Sequence, residues 1–372
     1  MTDVEFFARV LRDEPFNWPQ GEAEGLRLYE ATGRHGVHLL LAERLTHDEA
    51  AEACPRSLRD RFRSSLRNQI AVDEITSREL RAVLAALHEG SVHPLLLKGA
   101  ALAFTHYPDP SLRPRADTDL LVAEDQQHSA CEILEQLGYR RMPLTTGELV
   151  TYQALYAKAD ARDMRHAIDL HWRVSNPQVF AHALRWDDLL ASAARIPRLG
   201  GTACGLGAVH ALTLACVHRV AHHAHEERLI WIYDIHLLAE QLTDNERERF
   251  IDLAASSKLT AVCAQGLARA ADLFQGVGAT RLLAALRSHQ PTTVEPSASF
   301  TAAKMRKLDV LVSDLRALGG WPSRLRLLRE HIFPPRAYMR AAYGTTTDGW
   351  LPLLYVWRFV RGAAVWCRQR SA

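Results

Sequence analysis

The stretch "RPRADTDLLV", Arg113 to Val122, sets Asp117 and Asp119 two positions apart, in front of three apolar residues. In an extended chain, residues two apart face the same side. Two carboxylates that close repel each other, and both stay ionised at low cost only with a cation between them. Hard oxygen ligands at this spacing suit Mg2+ or Mn2+, which favour carboxylates together with substrate phosphates. The plain alternative is a turn that leads into a core strand. A third acid, Asp169, stands in "HAIDLHWRV", where Ile168, Leu170 and Trp172 alternate with Asp169, His171 and Arg173. Aspartate is a poor strand former and is costly to bury unpaired. Asp169 therefore either faces the same metal pair or sits on an edge strand against Arg173 or Arg165. His171 shares its face and can orient Asp169, touch a substrate or bond a nearby carbonyl; Trp172 points the other way, as core. Upstream, "LLLKGAAL" passes from an apolar segment through Lys98 and Gly99 into small residues. Glycine lets a backbone approach a ligand closely, and amides that open a helix can hold phosphate oxygens. The same turn is also an ordinary exit from a strand.

These residues need strands and turns to hold them. Pro94 to Leu97 reads as a buried strand and "DTDLLV" as a second. "DQQHSACEILEQLGY" is an amphipathic helix ended by Gly138, and "TYQALYAKADARDMRHAIDLHWRV" is a hairpin around a polar turn at 160–163. Strand, helix, strand, helix and hairpin make a small mixed α/β core over residues 91–200. Residues 1–90 are helix-patterned, with Gly90 at the end of one helix. Residues 201–372 return to helical spacing. The expected class is α/β (α+β): a small mixed-sheet core flanked by N-terminal helices and a C-terminal helical bundle. The polar, aperiodic "SHQPTTVEPSAS" reads as a mobile loop at 288–299.

Taken together, the motifs resemble the DNA polymerase β-like nucleotidyltransferase superfamily, and more closely its bacterial family called uncharacterised nucleotidyltransferases. The carriers are Leu96 to Leu102, Tyr107-Pro108, Arg113 to Val122 and Asp169 to Trp172. "GRHGVHLLLAERL" and "CVHRVAHHAHEERLIWIYDIHLL", with His218, His222, Trp231 and Asp234, extend the resemblance over most of the chain to about residue 240. It implies transfer of a nucleoside monophosphate from an NTP to a hydroxyl of a small-molecule or protein acceptor, assisted by Mg2+ or Mn2+. Asp117, Asp119 and Asp169 would hold the metal, with Asp169 able to accept the proton. Gly99 and Ala100 would cradle the triphosphate beside Lys98. Arg113 would neutralise phosphate or pin the strand through an ion pair. His171, His218, His222 and Asp234 would face the acceptor. Two features depart from the superfamily: Ala100 replaces the usual serine, and the interval from Gly99 to Asp117 is long. The missing hydroxyl keeps open a nucleotide-binding regulatory module without turnover; an RNA- or toxin-type transferase is a further alternative.

Composition narrows these classes. The chain has 372 residues, 48% hydrophobic and 24% charged, with a net charge of +2 and almost all its bases arginine. Near-neutral charge gives no general attraction to nucleic acid or membrane. Cys54, Cys131, Cys204, Cys216, Cys263 and Cys367 show no zinc-type spacing, and the start does not read as a signal peptide. A reducing, cytoplasmic setting is the expectation. "HRVAHHAHEE" places His218 and His222 on one helical face, a geometry open to zinc, to cleft contacts or to plain surface. "LRDRFRSSLR" is a basic helix face that reads as solvated surface. No apolar run approaches the roughly 20 residues of a membrane span. "WLPLLYVWRFVRGAAVW" reads as a terminal helix packed on the body, with peripheral membrane contact as the other reading.

Overall fold

A computed structural model of the chain describes residues 2–47, 53–143, 147–221, 228–289, 295–302 and 305–367. Helices α1 (Asp3–Leu11), α2 (Glu22–His35) and α3 (His38–His47) precede the 34-residue α4 (Arg56–Glu89). The break between α2 and α3 falls at Gly36, which has φ 72°, and a Cβ there would come within 2.9 Å of Ile230. Both facts require glycine. At 1.5 Å per residue α4 is about 50 Å long. One end buries Leu58 and Phe62 among the first helices; the other lays Leu80, Val83, Leu84 and Leu87 on the sheet.

The core follows as β1 (Leu95–Leu96), α5 (Lys98–Thr105), β2 (Thr118–Leu121), α6 (Gln127–Gln136), β3 (Arg140–Arg141), β4 (Gln153–Ala159) and β5 (Arg165–His171). β6 (Ala194–Arg195) and β7 (Cys204–Gly205) complete a seven-stranded sheet in the order β3-β4-β5-β2-β1-β7-β6. It is mixed: β2 runs parallel to β5 and antiparallel to β1. The hairpin turn forms where expected, because the Asp160 carboxylate accepts the amides of Arg162 and Met164. β3, β6 and β7, two residues each, are too short to show a period in sequence. β5 lies between β4 and β2, so Asp169 is on an inner strand and the edge-strand reading of it is corrected.

Helices α7 (Ala208–Ala221), α8 (Leu229–Gln241), α9 (Asp244–Ser256), α10 (Thr260–Phe274) and α11 (Val277–Ser288) pack as a bundle. Phe7, Leu39 and Leu41 share one hydrophobic cluster with Ile232, Ile235 and Leu267, so the first helices rest on this bundle. Helices α12 (Lys307–Ala317), α13 (Trp321–Ile332), α14 (Arg336–Tyr343) and α15 (Leu351–Cys367) end the described chain. Of the loop expected at 288–299, residues 290–294 lie outside the described residues. Beyond them, Pro296–Thr301 forms a 3-10 helix with Phe300 buried. Glu295 is 4% exposed and accepts the amides of Thr260 at 3.1 Å and Ala261 at 2.8 Å. It caps α10, a long-range role that polar composition does not reveal. Cys54, Cys131, Cys204, Cys216 and Cys263 are free thiols. Among the described residues, no helix is long and apolar enough to cross a membrane.

Asp314 on α12 performs a similar task for the short helix Gln178–Ala181, at a cost. It is buried and accepts the amide of Gln178 at 2.7 Å. Burial pushes its carboxyl up to about 6, against the opposing pull of that amide. A carboxyl raised on folding contributes stability below its unfolded pKa, which is lost as pH rises through about 6. Asp314→Asn keeps the acceptor and removes the charge. The variant should be more stable than the parent by about 3 kcal/mol at pH 8, with most of the advantage gone near pH 4. Urea midpoints at the two pH values measure this; an advantage independent of pH would contradict the assignment.

Candidate active site

The strand that carries the motif begins one residue later than the sequence suggests. Asp117 is exposed in the bend before β2, and Asp119 is the second residue of the strand, 7% exposed. Leu120, Leu121 and Val122 are buried and fix the strand in the core. Because β2 and β5 pair in parallel, Asp119 stands directly beside Asp169. Two acids 50 residues apart in sequence are thus neighbours through register alone.

The charge of Asp119 is balanced within the protein. Lys98 Nζ donates to its Oδ1 at 2.7 Å, and His171 Nε2 lies 3.0 Å from the same oxygen. Burial opposes ionisation of Asp119, yet Lys98 and His171 outweigh it and hold the carboxyl well below the usual range. Burial and Lys98 disfavour a charged His171, but its bonds to Asp119 and Asp169 raise its pKa above the ordinary value. Although Asp117 as a residue is exposed, its carboxyl is crowded by surrounding protein; that partial desolvation, then repulsion from Asp119 and Asp169, pushes it up to about 6. Lys98 itself has φ 49°, an uncommon backbone state for a long side chain, at the corner between β1 and α5.

Asp169 is less fully satisfied. Gln153 Nε2 donates to its Oδ2 at 2.7 Å, and His171 Nε2 lies 3.4 Å from that oxygen. Its Oδ1 is buried with no hydrogen-bond partner among the described residues. Ligand atoms of Asp119, Asp169 and His171 all lie within 4.8 Å of one another. Two carboxylates, one imidazole and a buried oxygen without a partner suit a divalent cation. The three-residue cluster that the geometry collects includes His171 and leaves Asp117 at the rim.

Arg113 is placed by a different contact. Its Nε donates to Asp234 Oδ1 at 2.9 Å and its Nη2 to Oδ2 at 2.7 Å, while Nη1 donates to the Pro114 carbonyl at 2.7 Å. Tyr107 donates its hydroxyl to Asp234 Oδ1 at 2.7 Å. The pinning reading of Arg113 therefore has a partner, Asp234 on α8. Gly99 faces this guanidinium: a Cβ would meet Arg113 Cζ at 3.1 Å. Close approach is the reason for the glycine, and the group that approaches is a side chain of the protein itself. Gly99 and Ala100 are buried in the first turn of α5. Two residues on, Arg115 pairs with Asp73 on α4 and lies 4.9 Å from the Phe104 ring centre.

A mostly apolar pocket opens between α5, β7, α7 and α8. Leu96, Ala101, Ile196, Leu206, Leu214 and Trp231 line it, with Lys98, Arg113, His218 and Asp234 among its polar groups. His218 packs edge-on against Trp231, ring centres 5.5 Å apart. His222, and with it His223 and His225, lies outside the described residues. Tyr107, Gln153 and the Arg115–Asp73 pair carry no role in the sequence reading. Tyr107 stands in the quoted Tyr-Pro motif, and Gln153 opens an alternating strand, but neither partner is visible until the chain is folded.

Removing the carboxylate partner exposes how much the clamp matters. Asp234→Ala leaves a buried guanidinium and the Tyr107 hydroxyl without their acceptor, and should cost about 3–5 kcal/mol. The double variant Arg113→Met, Asp234→Leu should recover a large part of that loss. Chemical denaturation measures both; a single variant within experimental error of the parent would contradict the clamp.

Comparison with known proteins follows the same residues. No curated protein matches the chain. The family model described as uncharacterised nucleotidyltransferase matches residues 22–275, from α2 to the end of α10, a span that contains the sheet, the acids and Asp234. The chain belongs to that family of uncharacterised nucleotidyltransferases.

Proposed function

We propose that the protein moves a nucleoside monophosphate from an NTP to a hydroxyl of a small-molecule or protein acceptor. The observation that carries this reading is the buried Oδ1 of Asp169, which has no hydrogen-bond partner among the described residues, beside Asp119 on the adjacent parallel strand. Asp119, Asp169 and His171 would hold Mg2+ or Mn2+, with Asp117 reaching in from the rim. When bound, the metal supplies Lewis-acid stabilisation of phosphate charge. Asp169 accepts the proton from the acceptor hydroxyl. The hydroxyl oxygen forms a bond to the α-phosphorus, the bond to the bridging oxygen breaks, and pyrophosphate leaves. Lys98 sits beside the carboxylates as a point charge for the phosphates, and the first-turn amides of α5 at Gly99 and Ala100 offer donors. The pocket containing His218 and Asp234 supplies an apolar wall for a base or acceptor.

A second reading has its own observation. The Lys98 ammonium bonds Asp119 Oδ1 at 2.7 Å, where a metal would compete for the same oxygen. With Ala100 in place of a hydroxyl, this favours a nucleotide-binding module without turnover. Incubation with each α-labelled NTP and cell lysate, then separation of protein, RNA and small molecules, distinguishes the two. Label on a small molecule or protein supports transfer; label on RNA redirects the acceptor; nucleotide binding with no label anywhere supports the module.

Two variants sharpen the test. Asp169→Asn should lower turnover at least about 100-fold while circular dichroism is unchanged; turnover equal to the parent would sink the assignment. Lys98→Met should tighten Mn2+ binding about tenfold, because a competing cation is gone, and should weaken NTP binding. Isothermal titration reads both, and unaltered Mn2+ affinity would show that Lys98 does not compete for the site.

A further inference from the structure

Among the described residues, helix α15 is anchored along one side. Leu351 is buried, Tyr355 donates its hydroxyl to the Pro334 carbonyl at 2.7 Å, and Arg358 lies 5.3 Å from the Tyr338 ring centre. The other side carries Leu353, Val356, Trp357 and Val360, which are 61, 63, 54 and 61% exposed. Their spacing of three, one and three makes a continuous apolar stripe along a helix. Isolated exposed apolar residues are ordinary, but a stripe held outward by an anchored helix marks a contact surface. Among the described residues no helix is long and apolar enough to cross a bilayer; this one has 17 described residues, with Arg358 and Arg361 among them, and is long enough to lie in its surface.

Charge says what covers this stripe. Residues 321–372 carry nine arginines and no lysine against Glu330 and Asp348, a net charge of +7. The preceding 320 residues carry −5, so the near-neutral total hides a strong asymmetry. Arg361 is exposed on the same helix as the stripe. Apolar and aromatic side chains beside arginines complement an interface of acyl chains and anionic headgroups. The segment also lies beyond residues 22–275, outside the part that matches the family.

We propose that α15 docks the protein on an anionic lipid surface, with Leu353, Val356, Trp357 and Val360 entering the headgroup boundary and the arginines of residues 321–372 drawing it there. The full chain is sedimented with vesicles of phosphatidylcholine alone and with vesicles in which phosphatidylglycerol is about a third of the lipid. Binding should be at least about tenfold stronger to the anionic vesicles and should fall when salt is raised to about 0.5 M. The double variant Val356→Glu, Trp357→Glu, on exposed positions remote from the carboxylates, should lose that binding with circular dichroism unchanged. Absence of vesicle binding, equal binding to both compositions, or unchanged binding of the variant overturns the proposal. So does light scattering that shows a dimer which the variant converts to monomer, because the stripe would then be covered by a second copy.

Discussion

Arg113 buries its guanidinium against the carboxylate of Asp234, and the parts of the cleft are held relative to that contact. The pair joins the loop before β2 to helix α8, 121 residues away in sequence. Gly99 must be bare for the guanidinium to fit, so the β1–α5 corner is fixed by the same contact. Arg115 then ties the loop to α4 through Asp73. The two arginines of "RPR" thus tie the loop before Asp117 to α4 on one side and to the bundle on the other. Isolated buried ion pairs add little net stability, because desolvation offsets attraction. Here the guanidinium is also bonded to a carbonyl and the carboxylate to Tyr107, so breaking one member strands several groups.

The acids beyond this clamp are managed by unequal surroundings. Asp119 keeps its charge because Lys98 and His171 touch it; Asp117, at the rim with fewer such contacts, is pushed up to about 6. Asp169 has one oxygen on Gln153 and one with no partner among the described residues. Neighbouring carboxylates in different environments separate in character, a recurrent basis for giving similar groups different work. Lys98 is central: its backbone turns the chain into α5 while its side chain offsets the charge of Asp119. Under the proposed function, a lysine so close to the acids would both support a phosphate site and compete with a metal for it.

Much of the architecture was legible in local pattern. Alternation around Ile168 and Leu170 gave β5, the polar run at 160–163 gave its turn, and helical spacing gave both flanking helical segments. The failures have a common cause. Two-residue strands β3, β6 and β7 have no period to detect. Glu295 looked like part of a polar loop because its partners, Thr260 and Ala261, lie 34 to 35 residues away. Asp117 was expected inside the strand, but pairing with β5 begins at Thr118. Terminal strand residues depend on what lies alongside them, and a single sequence does not say.

By itself the sequence determined the residue types the site can use: three acids, a lysine and a glycine at a strand-to-helix corner, and a histidine two residues after an acid. It also determined the strands that carry most of them, because period-two burial is a local property. Only the tertiary structure decided which groups meet. Register set Asp119 beside Asp169, and the same pairing brought His171 to them while Asp117 stayed at the rim. Packing gave Arg113 to Asp234, a choice that local chemistry had left even between phosphate and ion pair. Those outcomes rest on contacts between distant segments. Their energies belong to pairs of residues, and no single stretch of chain contains both members.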